Sequence, residues 1–430
     1  MTDTVSLLTS RPRRRRASPP AARFKAGDSK IGLALAGGGP LGVTYEIGAL
    51  NALAESLAGI DFNDLGVYVG VSAGSVLAAG LANGIAPRDI CRLFIEGESA
   101  GGGLEAFDPA ILLQPAGREY ARRFRELPRV ASQVLRSFSA NPGISGWSGA
   151  VARLGELLPT GLFDNSNIDV YLRRLFELPG RTNDFRKLRS RLILVATDLD
   201  SGDAVEFGSN EFAFVPISRA VQASTALPLL FPPVTIAGRN YVDGALTKTM
   251  HASGAYHAGA RLVISVNPLV PYDATALSPG PDSHRALLPG GLPMVLSQTF
   301  RALIHSRMQA SFARYANELP GLDIIRFEPD RSDADLFFTN IFSYASRRRV
   351  CEHAYQRTRS NLWKRREALA PILARHGVTL RLHVLQDTSR TLVPGPPPRI
   401  RPAPAVVWEL EAGLRTLREW LAAQSSPIAV

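Results

Sequence analysis

Leu65-Gly-Val-Tyr-Val-Gly-Val-Ser-Ala-Gly-Ser-Val-Leu-Ala-Ala-Gly-Leu-Ala-Asn-Gly84 decides the reading of this 430-residue chain. Leu65 to Val71 is an apolar, β-branched run of strand length, and Ser75 to Gly84 reads as a buried helix with a glycine stop. Between them Gly70-Val71-Ser72-Ala73-Gly74 is a small-x-Ser-x-small elbow. A serine on a sharp strand-to-helix turn is how a nucleophilic oxygen is exposed, and flanking glycines keep that turn free of side chains. The same pattern also suits a tight turn packed with small residues; strand before and helix after favour the nucleophile.

About 30 residues upstream the arrangement repeats. Ile31 to Ala36 reads as a first strand, Gly37-Gly38-Gly39-Pro40-Leu41-Gly42 follows, and Val43 to Leu53 continues as a helix. Taken literally, Gly37, Gly39 and Gly42 satisfy G-x-G-x-x-G, the dinucleotide fingerprint. That fingerprint needs an acidic residue about 20 positions on, at the end of the second strand, to hold a ribose. Here the second strand ends at Val71-Ser72, so backbone N–H groups holding an oxyanion are the preferred reading, with a dinucleotide-dependent enzyme as an alternative. Pro40 has no N–H, which leaves Gly38 and Gly39 as the main donors beside Gly37.

An attacking serine must lose its proton to a base. Of the seven histidines, His251, His257, His284, His305, His353, His376 and His383, none stands in a compelling setting. His251 and His257 lie in a small-residue, helix-like stretch where a packed or solvated role suffices. The most suggestive acid is Asp243, where a short strand, Arg239-Asn-Tyr-Val-Asp243, runs into Gly244, although Asp-Gly alone signals only a turn.

Read together and in order, the Gly37–Gly42 loop, the Gly70–Gly74 elbow, Ala223-Ser-Thr-Ala-Leu-Pro-Leu-Leu-Phe-Pro-Pro233 and Asp243-Gly-Ala245 resemble the blocks of the patatin-like phospholipase family. Val195-Ala-Thr-Asp-Leu-Asp-Ser-Gly202 is similar to that family's connecting strand and turn. The resemblance implies a Ser-Asp dyad, with Ser72 as nucleophile and Asp243 as general base, and an oxyanion hole at Gly37, Gly38 and Gly39. Gly42, Gly70, Gly74 and Gly244 support the motifs. It implies cleavage of lipid carboxylic esters through an acyl-enzyme, with no cofactor and no metal. A noncatalytic lipid-binding or scaffolding protein on the same fold is the other alternative. One departure stands out: where the family commonly carries a basic residue in the loop, this chain has Leu41, which favours a neutral or other ester over a phosphate headgroup.

Elsewhere Arg191 to Thr197, Ala260 to Val266 and Asp323 to Phe327 read as strands, and Met294 to Tyr315 as a long amphipathic helix. Strands alternating with helices predict an α/β fold, a three-layer α/β/α sandwich with a mainly parallel central sheet. The expected organisation is a basic disordered tail over 1–29, a catalytic domain over 30–385, a Pro-rich linker over 386–405 and an amphipathic helix over 406–430. Within the domain, 98–165 reads as an insertion and lid. Arg118, Arg122, Arg125 and Arg129 fall at helical spacing there, with Tyr120, Phe124, Leu127 and Val134 on another face, and Gly143, Gly146 and Gly149 follow.

The charge is uneven. Residues 1–30 carry eight basic residues against two acidic ones, and residues 343–376 carry nine against two. The tail suits attraction to an anionic membrane face; no nucleic-acid-binding module accompanies it, and no nucleic acid is expected as a partner. Two cysteines, Cys91 and Cys351, make no disulfide framework and fit a reducing compartment, so a cytoplasmic protein peripheral to the membrane is expected.

Overall fold

The computed structural model describes residues 30–140, 157–247, 250–273, 291–333, 337 and 344–393. The basic tail, Gly143, Gly146, Gly149, His284, the linker beyond 393 and the helix over 406–430 lie outside the described residues.

The strands are β1 (Lys30–Leu35), β2 (Leu57–Ala58), β3 (Val67–Val71), β4 (Arg191–Asp198), β5 (Ala204–Phe207), β6 (Val234–Ile236), β7 (Arg239–Asp243), β8 (Ala260–Val266), β9 (Asp323–Phe327) and β10 (Thr379–Leu380). The helices are α1 (Gly39–Ser56), α2 (Ala73–Ala82), α3 (Pro87–Cys91), α4 (Gly117–Ala140), α5 (Ser166–Phe176), α6 (Ile217–Ser224), α7 (Ala252–His257), α8 (Gly291–Glu318), α9 (Tyr344–Lys364), α10 (Arg366–Ala374) and α11 (Leu382–Gln386). The main sheet runs β6-β7-β4-β3-β1-β8-β9, with β5 also on β4; β4, β3, β1, β8 and β9 are mutually parallel. β7 and β5 join β4 antiparallel, and β6 joins β7 antiparallel.

Both faces of the parallel strands are covered, so they read as continuous apolar runs rather than alternating ones. Along β1, Leu33 and Leu35 pack into the layer built with α1, α2, α6 and α9. Ala34 packs into the opposite layer, with Ala252 and Ala255 of α7 and Ile304 and Met308 of α8. The architecture is the α/β/α sandwich expected.

Boundaries moved for local reasons. α1 begins at Gly39 rather than Val43, because a proline in the first helical turn gives up an N–H that has no intrahelical partner there. α8 extends three residues beyond each end of the expected helix. The expected insertion holds a 3₁₀ turn at Pro109–Leu113 and the long helix α4. Cys91 and Cys351, distant in sequence, are both fully buried and in hydrogen-bonding contact where α3 meets α9; burial holds the Cys351 thiol well above its usual range.

Candidate active site

The site forms at the carboxyl ends of β3 and β1 and the turn that leaves β7. Parallel register sets Leu35 beside Gly70 and Val71 beside Val195, so β1 and β3 end within a residue of each other while β4 runs three residues further. β7 returns antiparallel on β4, which places Asp243 opposite Ala196. One strand therefore separates Ser72 from Asp243, 171 residues apart in sequence, and the Ser72 Oγ donates to Asp243 Oδ2 at 2.5 Å.

Ser72 stands at φ 52°, ψ −125°, a conformation other residues rarely adopt and one that costs about 1–3 kcal/mol. Hydrogen bonds on each side hold it. Its N–H donates to Ser224 Oγ at 2.8 Å, Ser224 Oγ donates to Val195 O at 2.6 Å, and Ser75 Oγ donates back to Ser72 O at 2.5 Å. Close packing of the elbow on the first loop requires glycine. A Cβ on Gly74 would fall 2.5 Å from Leu35 O, and one on Gly37 would fall 2.9 Å from Ser72 Cβ.

Asp243 is 2% exposed. Its Oδ1 accepts the Ala245 N–H at 2.8 Å, its own N–H donates to Ala226 O at 3.0 Å, and Thr197 Oγ1 donates to its carbonyl at 3.0 Å. Burial penalises the carboxylate and pushes its pKa up to about 6, against the opposing pull of the Ser72 hydroxyl and the Ala245 N–H. A carboxylate poised there is ionised at neutral pH yet basic enough to take a proton in a transition state.

The first loop closes over this pair. Gly38 caps α1, and its carbonyl accepts the Gly42 N–H at 2.9 Å. Among the described residues, no acceptor takes the N–H of Gly37, Gly38 or Gly39. Gly39 adopts φ +58°, open to glycine at little cost. Leu41 is buried in the core and does not line the cavity.

A cavity of about 190 Å³ opens over Ser72 and Asp243. Its walls are largely aliphatic and aromatic, including Val76, Leu112, Leu172 and Phe231. Phe94 and Phe107, stacked at 4.7 Å, and Tyr171 against both complete an aromatic side. Arg347 of α9 also reaches the wall and donates to Phe94 O at 3.2 Å.

Four of the described histidines are engaged elsewhere. His251 is buried against Glu206, His353 pairs with Asp333 at 2.5 Å, His376 with Asp323 at 2.8 Å, and His305 contacts Gln309 at 3.2 Å. Two contributors escaped the sequence reading. Ser224 lay inside the quoted Ala223–Pro233 block without a role, and the Ala73 N–H sits directly after the elbow serine at the start of α2. The rule that pairs an elbow with the N–H that follows it points to Ala73; nothing local points to Ser224.

In this layered α/β fold the buried serine–carboxylate contact opens into an apolar cavity. A family model described as patatin-like phospholipase matches residues 33–256, and the chain belongs to that family. Among curated proteins none matches the chain. Among solved structures it is similar to VipD from Legionella pneumophila, at 18% identity over 80% of this chain and 70% of that one, with a TM-score of 0.35. It is also similar to the type III effector ExoU, at 16% identity over 79% of this chain and 53% of that one, with a TM-score of 0.34. The chain thus spans about half the length of ExoU.

Proposed function

We propose that the protein is a serine acyl hydrolase that cleaves carboxylic esters of lipids through a Ser72–Asp243 dyad. The observation that carries this reading is the 2.5 Å contact between Ser72 Oγ and a buried carboxylate whose pKa is pushed up to about 6. Ser72 Oγ attacks the ester carbonyl carbon as its proton passes to Asp243 Oδ2. The tetrahedral oxyanion is held by the N–H groups of Gly37, Gly38 and Gly39, with the Ala73 N–H and the start of α2 beside it; such donors are worth about 3 kcal/mol each. Asp243 returns the proton to the departing alcohol, leaving an acyl-Ser72. Water then attacks the acyl carbon with Asp243 again taking the proton, and the acid leaves with Ser72 restored.

The apolar cavity suits an acyl chain, and Leu41 in the core supplies no cation at the scissile end. We assign the catalytic domain to 30–385, with 98–165 as its lid. On that insertion and beside it, Tyr120, Phe124 and Leu127 of α4, with Leu158, Leu162 and Leu229, are exposed. Leu162 N donates to Leu229 O, and Phe163 N to Leu230 O, which joins this apolar surface to the cavity wall at Phe163 and Leu230. We read it as the face laid on a lipid surface, with exposed Arg125 and Arg129 on the same helix and the basic tail favouring anionic headgroups. No helix among the described residues is long and apolar enough to cross a membrane.

The test is a panel of lipid esters presented as vesicles or micelles, with released fatty acid measured. Release from at least one lipid by wild type and none by Ser72→Ala is expected; a panel on which both are inert refutes the proposal.

A further inference from the structure

A second cavity, of about 870 Å³, touches α1 at Tyr45 and shares no lining residue with the catalytic one. It follows β9, the last strand of the sheet, between α8 and α9. Most of it lies outside the segment that the family model matches.

Its chemistry is set by the part of the basic run over 343–376 that lies beyond Arg347, the residue that reaches the catalytic cavity. Arg357, Thr358, Asn361 and Lys364 recur at helical spacing on one face of α9 and line the cavity with Arg365, which follows that helix, and Arg326 faces them from β9. Two carboxylates are present, and both are occupied. Glu328 Oε2 takes Arg326 Nε at 3.0 Å while its Oε1 accepts from Asn267 Nδ2 at 2.7 Å; Asp330 Oδ1 accepts from the Ser332 N–H and hydroxyl at 3.0 and 2.7 Å. Among the described residues no acid makes an ion pair with Arg357, Lys364 or Arg365; Asp330, whose pKa is lowered first by its hydrogen bonds from Ser332, also feels the charges of Arg357 and Lys364. Arg365 stands close enough to Arg326 for the two charges to repel, and burial and that neighbour together lower its pKa. Tyr45 and Thr358, each 2% exposed, form the buried floor of the wall.

The free edge of β9 invites a comparison with strand addition, but that edge is closed. Arg365 Nη1 donates to Arg326 O at 3.0 Å, and Arg375 and His376 hold the Asp323 carboxylate at 2.8 Å each. A wide polar cavity in which four cations face two carboxylates, with Arg357 and Lys364 exposed, instead matches a compact polyanion.

We infer that the α8–β9–α9 cavity is a binding site for a ligand with clustered phosphates, either a soluble molecule or a lipid headgroup, with Arg357, Lys364, Arg365 and Arg326 as its cationic contacts. Arg frames phosphate oxygens in pairs, and Lys adds a point charge. The site is separate from ester hydrolysis and does not depend on that reading.

The test uses the full-length protein and two probes at low salt. Inorganic pyrophosphate is titrated calorimetrically, and phosphatidylcholine vesicles with and without phosphatidic acid are sedimented with the protein. The double variant Arg357→Gln/Lys364→Gln removes two exposed charges, and a control pair just before β4, Lys187→Gln/Arg189→Gln, removes the same net charge at exposed positions elsewhere. The expected result is at least about tenfold weaker binding in the cavity variant and a smaller change in the control. Loss confined to pyrophosphate identifies a soluble ligand, loss confined to phosphatidic acid vesicles identifies a headgroup, and loss of both supports the shared chemistry. Equal binding by wild type and cavity variant, losses that the control pair reproduces, or no binding of either probe by wild type, overturns the inference. Thermal midpoints of the unliganded variants equal to wild type exclude a folding defect as the cause.

Discussion

Replacing Asp243 by Asn separates what the buried carboxylate does for chemistry from what it costs the fold. Asn is nearly isosteric, and its side chain can still accept the Ala245 N–H and donate to Ser72 Oγ, so the hydrogen-bond framework survives. What disappears is a proton acceptor, and loss of a positioned base costs about 10²- to 10⁴-fold in kcat. In wild type, kcat/KM must follow the ionised fraction of Asp243, rising with pH through about 6. It falls about tenfold for each pH unit below that value. Stability moves in the opposite direction. The folded-state pKa is raised from 3.8 to about 6, so the native state binds more protons than the unfolded chain between these values. The contribution of Asp243 is therefore fully present below about pH 4 and is lost as pH rises through about 6, by roughly 3 kcal/mol for a two-unit shift. Asn carries no such penalty. The variant is expected to be inactive, more stable than wild type by up to about 3 kcal/mol at pH 8, and level with it near pH 4. Urea unfolding at both pH values, with kcat/KM on a soluble short-chain ester from pH 4 to 8, reads both effects. A wild-type activity profile with its midpoint near 4, or an Asn variant with no stability gain at pH 8, refutes the reasoning.

Gly37→Ala places a methyl group against Ser72 Cβ and is expected to lower kcat at least about tenfold while the protein still folds, as single-turnover acylation and thermal unfolding can check. Phe124→Ser with Leu127→Ser is expected to reduce fatty-acid release from anionic vesicles and leave soluble-ester hydrolysis near wild type; an equal loss on both substrates would place α4 in the chemistry instead of the lipid contact. Deleting residues 1–25 is expected to weaken vesicle binding most at low salt, since exposed charges are screened beyond about 8 Å at physiological ionic strength, and equal binding across a salt series eliminates the tail as a recruiter. His251→Gln is expected to retain most activity, because its ring faces Glu206, and a loss matching Ser72→Ala would point to a histidine in the relay.

What the sequence made legible was local or carried by ordered motifs. The elbow announces itself because strand, turn and helix follow one another within 20 residues, and Gly37, Gly38, Gly70 and Gly74 sit where close packing leaves no room for Cβ, while Gly39 is needed for its positive φ. Long-range structure was less visible. Asp243 stood out only through its motif, since Asp-Gly alone is a turn; its approach to Ser72 depends on β7 returning antiparallel beside β4. Ser224 gave no signal because its role is a hydrogen bond to the Ser72 N–H across the sheet. The cavity wall draws on segments near residues 94, 107, 112, 171 and 231, whose spacing carries no period. Cys91 and Cys351 look isolated for the same reason: only the docking of α9 beside α3 brings them together. The basic run over 343–376 was visible as charge, while its division between the catalytic wall at Arg347 and the second cavity at Arg357–Arg365 required the turn of a folded helix.

The claim on which the catalytic account rests is that Ser72 Oγ is the nucleophile. Reaction of the full-length protein with a fluorophosphonate, followed by peptide mass mapping, tests it directly. The account predicts one stoichiometric adduct on the peptide containing Ser72, absent in Ser72→Ala and much slower to form in Asp243→Asn. An adduct on another serine, or undiminished labelling and ester hydrolysis in folded Ser72→Ala, would contradict it.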